Sequence, residues 1–98
     1  MQTTRKLNIG VQVLMTPGVQ SEEVPTAELM KAMAQHQQCD YGHVHTDDAK
    51  ANDLAIDSNE GRVLSSYMTA DGTVFWIITD GLGMPEHLHT VAMLPSEY

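Results

Sequence analysis

The chain has 98 residues, a formal net charge of −8 and a hydrophobic content of 42%. Its length suits one modest core, so we expect a single domain over residues 1–98. The excess of acid disfavours direct nucleic-acid binding, and every apolar run is far shorter than the roughly 20 residues of a membrane-spanning helix. The N-terminus lacks the apolar stretch of a signal peptide, and Cys39 is the only cysteine, so we expect a cytoplasmic protein.

The first predicted element is a half-buried β-strand over residues 7–15. Apolar residues alternate with mostly polar ones from Leu7 to Met15, which is the two-residue period of a strand with one buried face. The next residues, Thr16-Pro17-Gly18, end the strand, because proline has no N–H for the ladder and glycine turns freely.

A first helix is predicted from a capping Thr26 to about residue 38. Leu29, Met30 and Met33 follow helical spacing, and the nearby alanines favour a helix. We interpret residues 35–38 as its polar end.

A second helix is predicted after a capping Thr46. Asp47 and Asp48 occupy its first turn, where the helix dipole favours negative charge. Leu54 and Ala55 belong to its predicted inner face, and Gly61 is available for a left-handed C-cap.

Residues 62–79 predict a β-hairpin that turns at Asp71-Gly72, because this dipeptide between alternating apolar runs is a strong hairpin signal. The second hairpin strand is apolar on both faces, which predicts a central position in its sheet. A last strand is predicted over residues 87–94. The order β-α-α-β-β-β predicts an α+β fold, in which two helices pack on one face of an antiparallel sheet of about four strands.

Two His-x-His pairs raise the possibility of a metal site. Residues two apart on a strand face the same side, and a zinc site needs three or four such ligands. If the loop at 39–45 lay over the last strand, a divalent metal would have five candidate ligands: Cys39, His43, His45, His87 and His89. This reading predicts a small metal-binding domain or metal-dependent enzyme, and the alternative is that these are ordinary surface residues.

No other pattern predicts catalysis or a bound cofactor. Ser65 and Ser66 lie within a strand and lack a nucleophile elbow. Gly81-Leu82-Gly83 follows a strand but is not followed by a predicted helix whose N-terminus would hold a phosphate. Apart from the metal-dependent enzyme that the histidines leave open, we therefore expect a protein that is not an enzyme.

An ordered set of short motifs spans nearly the full chain. It consists of Thr16-Pro17-Gly18, Asp40-Tyr41-Gly42, Asp47-Asp48, Asn52, Gly61-Arg62, Leu64-Ser65-x-Tyr67, Asp71-Gly72-Thr73, Trp76-Ile77-Ile78-Thr79 and Leu94-Pro95-x-Glu97-Tyr98. The set resembles a family of small "plasmid-related" proteins carried by plasmids, phages and integrated elements. The resemblance implies a protein of a mobile genetic element. It implies no functional residues, because residues 80–91 depart from the family pattern.

The charge and the resemblance together favour an interaction module without enzymatic activity. Its partner would be a basic host or element-encoded protein, and the most concrete version is an inhibitor of a host defence nuclease, of the anti-restriction or anti-CRISPR type. The candidate interaction residues are Asp40, Asp47, Asp48, Asp53 and Asp57. A homodimer built on an exposed sheet edge or a Met-rich face is a further possibility.

Overall fold

The computed structural model describes residues 6–98, apart from the side chains of residues 22 and 23. Its strands and helices are β1 (Gln12–Met15), α1 (Thr26–Gln37), α2 (Thr46–Ser58), β2 (Gly61–Met68), β3 (Val74–Leu82) and β4 (His89–Met93). A π-helical turn follows β1 and a 3-10 turn follows β4. This order confirms the predicted α+β class. Within residues 6–98, no helix is long and apolar enough to cross a membrane.

The four strands form one mixed sheet in the order β1-β4-β3-β2. The pairs β2–β3 and β3–β4 are antiparallel, whereas β1 runs parallel to β4. The predicted purely antiparallel sheet is therefore wrong for β1. The chain passes through both helices between β1 and the hairpin, and so long a connection permits parallel pairing, which a tight turn does not.

The predicted hairpin is confirmed, and β3 is central as expected. Its turn is held by the Asp71 side chain, which accepts hydrogen bonds from the Thr69 hydroxyl and from the backbone N–H of Thr73. These bonds, the one from Thr69 first, lower the pKa of the Asp71 carboxyl. Gly72 has φ +93°, a left-handed conformation that glycine adopts without strain.

Both helices pack on the same face of the sheet, as predicted. Leu29 and Ala32 of α1 join a buried cluster with Phe75 and Ile77 of β3. Half-buried apolar residues of α2 pack on a second cluster that includes Val63 of β2. Among the described residues, the other sheet face carries no α-helix; there Tyr98, which follows the 3-10 turn, packs edge-on against Trp76 of β3.

The predicted first strand is too long. Leu7 is buried, and its N–H donates to the Gln37 carbonyl, 2.7 Å away at the end of α1. Gly10 has φ +78° and lies so close to the chain at Leu88 that a Cβ would come within 2.6 Å of that residue's carbonyl oxygen. Residues 7–11 therefore follow the end of α1 and the loop before β4 rather than the sheet. The four residues that remain in β1 are all exposed.

Candidate functional site

The start of α2 presents carboxylates to solvent. The N-cap is His45 rather than the predicted Thr46, and His45 Nδ1 accepts a hydrogen bond of 3.1 Å from the Asp47 N–H. The Asp47 side chain is 85% exposed, and Asp48 beside it is exposed as well. We define the acidic face as the exposed aspartates of α2 and of the preceding loop: Asp40, Asp47, Asp48 and Asp57.

Asp53, the fifth predicted interaction residue, has a structural contact instead of full exposure. It is half-buried, and its carboxylate accepts a 2.6 Å hydrogen bond from the Tyr41 hydroxyl. Tyr41 is itself buried in the second core cluster. This bond holds the loop before α2 against the helix. Asp53 therefore stabilises the acidic face without being part of its exposed surface.

The rotation of α2 differs from the sequence prediction. Asn52 is buried, and its side-chain amide donates to the Leu64 carbonyl at 2.8 Å and accepts from the Leu64 N–H at 3.1 Å. These two bonds satisfy the backbone of β2 at the sheet edge, so Asn52 points inward. Leu54, predicted to be inside, is therefore 69% exposed.

The loop before α2 covers the next part of that edge, at Ser66. The Ser66 N–H donates to the Tyr41 carbonyl at 3.0 Å, and the His43 N–H donates to the Ser66 carbonyl at 2.7 Å. The Tyr67 hydroxyl donates to the Asp40 carbonyl at 2.6 Å. The acidic face therefore rests on a loop and a helix that are both hydrogen-bonded to β2.

The two His-x-His pairs lie beside different parts of the sheet. His43 bonds to Ser66, which lies at the level of Met93, whereas His89 begins β4. Four residues along a strand span about 13 Å, and crossing from β2 to β4 adds about 10 Å sideways. Cys39 is half-buried and packs at the second core cluster. The five candidate ligands are thus not brought together, and residues 6–21 and 24–98 contain no group of three or more His, Cys, Asp or Glu residues placed to hold a metal.

The core contains a buried hydrogen-bond network centred on His36, which the sequence patterns did not predict. The His36 side chain is fully buried, with Nδ1 2.6 Å from the Ser65 hydroxyl and Nε2 2.8 Å from the Thr79 hydroxyl. Thr79 in turn lies 2.7 Å from the Thr90 hydroxyl, which donates to the Ile9 carbonyl at 2.8 Å. The spacing of Leu29, Ala32 and His36 on the buried stripe of α1 is the signal that predicts an inward His36.

The Ile9 carbonyl at the end of this network fixes which group donates and which accepts in each of its hydrogen bonds. A carbonyl can only accept, so Thr90 donates to Ile9 and must accept from Thr79. Thr79 then accepts from the Nε2–H of His36, which leaves Nδ1 to accept from Ser65. Burial lowers the pKa of His36 from 6.5 to about 4, so the imidazole is neutral at neutral pH. A neutral, fully enclosed imidazole of this kind locks α1 onto β2 and β3.

Two ends of the family-like motif set meet in the fold. The Glu97 carboxylate accepts hydrogen bonds from the Thr16 hydroxyl at 2.5 Å and from the Gly18 and Leu94 N–H groups at 2.9 Å. These bonds, the one from Thr16 first, lower the pKa of Glu97. They give Thr16, Gly18 and Glu97 a structural role.

Comparison with protein-family models, with curated proteins and with solved structures found no significant match to this chain. The resemblance to plasmid-related proteins therefore stays a prediction from the sequence.

Proposed function

We propose that this protein is a non-enzymatic interaction module that docks onto a basic protein through the acidic face. The observation that carries the proposal is that Asp47 and Asp48 are exposed in the first turn of α2, whose N-terminus is capped by His45. Because the loop and helix are hydrogen-bonded to β2, the backbone that carries these carboxylates loses little further freedom when a partner binds. Four aspartates against a single lysine make α2 attractive to a cationic surface.

Leu54 adds an exposed apolar side chain beside the acidic face. It is 69% exposed and lies one turn before Asp57 on the helix surface. An apolar anchor inside a charged rim is the usual arrangement of a protein–protein interface. We infer that Leu54 contributes to the affinity, while the aspartates select a basic partner and speed its approach.

The finer form of the proposal is an inhibitor of a host defence nuclease encoded by a mobile element. It is supported by the family resemblance and by the net charge of −8, which suits the basic groove in which a nuclease holds nucleic acid. The non-enzymatic part is supported by the placement of His36 and Ser65. This hydrogen-bonded pair is chemically capable, but both side chains are fully buried.

Affinity capture from host extract tests the proposal. Asp48→Lys and Glu86→Lys form a matched pair, since both residues are exposed and each change alters the net charge equally. The wild type and Glu86→Lys should both retain a basic partner. Asp48→Lys should retain much less of it. Equal retention by both variants contradicts docking through the acidic face. Phage plating on a host with an active restriction or CRISPR system tests the finer form, which predicts protection only from the binding-competent chains.

A further inference from the structure

Among the described residues, one edge of the sheet is covered by a helix and a loop, whereas the other edge is open. At the β2 edge, Asn52 and the loop before α2 bond to the strand backbone. At the opposite edge lies β1, which among the described strands pairs only with β4. Thr16 bonds to β4 through its N–H, and alternate residues of a parallel strand bond to the same neighbour, so Val13 and Met15 direct their backbone groups outward.

The side chains of β1 offer no protection against a further strand. Val13, Leu14 and Met15 are exposed by 41%, 49% and 43%, and β1 contains neither a charge nor a proline. Natural sheet edges usually carry such residues, because an open apolar edge pairs with other chains. The Gln20 side chain reaches the Met15 carbonyl at 2.8 Å, but no described strand pairs with the outer edge at Val13.

We propose that the outer edge of β1 pairs with the same edge of a second copy of this chain, antiparallel and around a two-fold axis at Val13. In this register, Val13 opposes its own copy, and one further step of the ladder sets Val11 of one chain opposite Met15 of the other. Val11 is fully exposed in the single chain. A groove of about 460 Å³, lined in part by Met15, Val24 and Leu29, lies beside this position and can receive it.

The charge distribution favours a second copy over a charged partner. The chain has a net charge of −8, so two copies repel wherever their acidic surfaces meet, but β1 is uncharged. Pairing at β1 sets the two α2 helices at the far ends of an eight-stranded sheet, which minimises this repulsion. It also leaves both acidic faces open, so this surface is distinct from the one in the proposed function. A strand edge is self-complementary under two-fold symmetry, as a closed dimer requires.

Sedimentation equilibrium from micromolar to hundreds of micromolar protein tests the dimer. We expect the wild type to dimerise, Val13→Lys to stay monomeric, and the control Met30→Lys to dimerise like the wild type. Met30 is a suitable control because it is 67% exposed on α1. A monomeric wild type, or a Val13→Lys chain that still dimerises, overturns the proposal.

Hydrogen exchange resolved to single amides identifies what occupies the edge. The Val13 amide should become protected as the wild type dimerises, whereas in Val13→Lys the amide at this position should stay unprotected at every concentration. Protection of Val13 that requires an added host protein assigns the edge to a different partner and also overturns the proposal. Neither result bears on the acidic face, because the substitutions used to test the two surfaces do not overlap.

Discussion

His36 and Ser65 are 29 residues apart in the chain and share a 2.6 Å hydrogen bond in the core. The bond joins α1 to β2, and its direction is set by a series of hydroxyl groups that ends at the Ile9 carbonyl. The helices and the sheet are therefore aligned by polar as well as apolar contacts. This alignment fixes the sheet on which the loop and helix of the acidic face rest.

Stability should fall as the pH is lowered towards 4. Burial lowers the pKa of His36 from 6.5 to about 4, so the unfolded chain takes up a proton in this window that the folded chain does not. The stability is therefore complete above pH 6.5 and is lost progressively below it. We expect the contribution of His36 to the free energy of unfolding to fall by about 2 kcal/mol between pH 7 and pH 5, measured by urea unfolding.

The variant His36→Gln separates this effect from general acid sensitivity. It should be less stable than the wild type at pH 7 by about 2 kcal/mol, because the hydrogen bonds are remade imperfectly, yet lose less on acidification. His87→Gln makes the same change at an exposed histidine and should keep the wild-type slope. Equal pH slopes for wild type and His36→Gln would count against a buried neutral imidazole.

The orientation of α2 predicts an unusual ranking of two substitutions. Asn52→Ala should lower the free energy of unfolding by about 2 kcal/mol, because it leaves the Leu64 backbone without its two partners. Leu54→Ala should change it by no more than about 0.5 kcal/mol, because Leu54 is exposed. Thermal or urea unfolding measures both. If Leu54→Ala were the more destabilising change, Leu54 would face inward, as the sequence predicted, and Asn52 would not.

Gly42 should be far less replaceable than Gly61. Both have positive φ, of 70° and 91°, so alanine at either position costs about 1 kcal/mol from the backbone alone. At Gly42 the new Cβ would also strike the Ser66 carbonyl, whereas nothing lies within 4 Å of it at Gly61. We expect Gly42→Ala to cost about 3 kcal/mol in total and to loosen the acidic face, visible as faster exchange of the His43 amide. Similar losses for the two variants would contradict the close contact.

Zinc should not stabilise the folded chain. The two His-x-His pairs lie on different parts of the sheet, and a single pair supplies too few ligands for a tight site. We expect one equivalent of zinc to leave the melting temperature unchanged, with His43→Ala and His87→Ala behaving like the wild type. Stoichiometric metal in the purified protein, together with a rise in melting temperature that either variant abolishes, would support the metal-binding alternative instead.

The sequence predicted the hairpin and its central strand better than it predicted the direction and the length of the first strand. The Asp71-Gly72 turn and the doubly apolar β3 follow from local chemistry, so the hairpin and its central strand were predicted correctly. The direction of β1 depends on which strand it meets after a long connection, and no local pattern encodes that choice. The alternation over residues 7–15 also misled, because the close approach of Gly10 to Leu88 takes the chain out of the sheet.

The candidate site was predictable in part. Asp47 and Asp48 were expected in the first turn of α2, and they are exposed there. Asn52 and His36 were missed for a shared reason: a polar residue at an inward position contradicts hydrophobic patterning until its hydrogen-bond partners are known. For Asn52 the partner is the Leu64 backbone, and for His36 it is a pair of hydroxyls on β2 and β3.

The central claim is that the acidic face docks onto a basic protein. Titration calorimetry with the captured partner, at low and high salt, tests it most directly. We predict that Asp48→Lys weakens binding by about tenfold or more and flattens its salt dependence, while Glu86→Lys stays close to the wild type. If Asp48→Lys binds as tightly as the wild type, with the same salt dependence, the acidic face is not the docking surface.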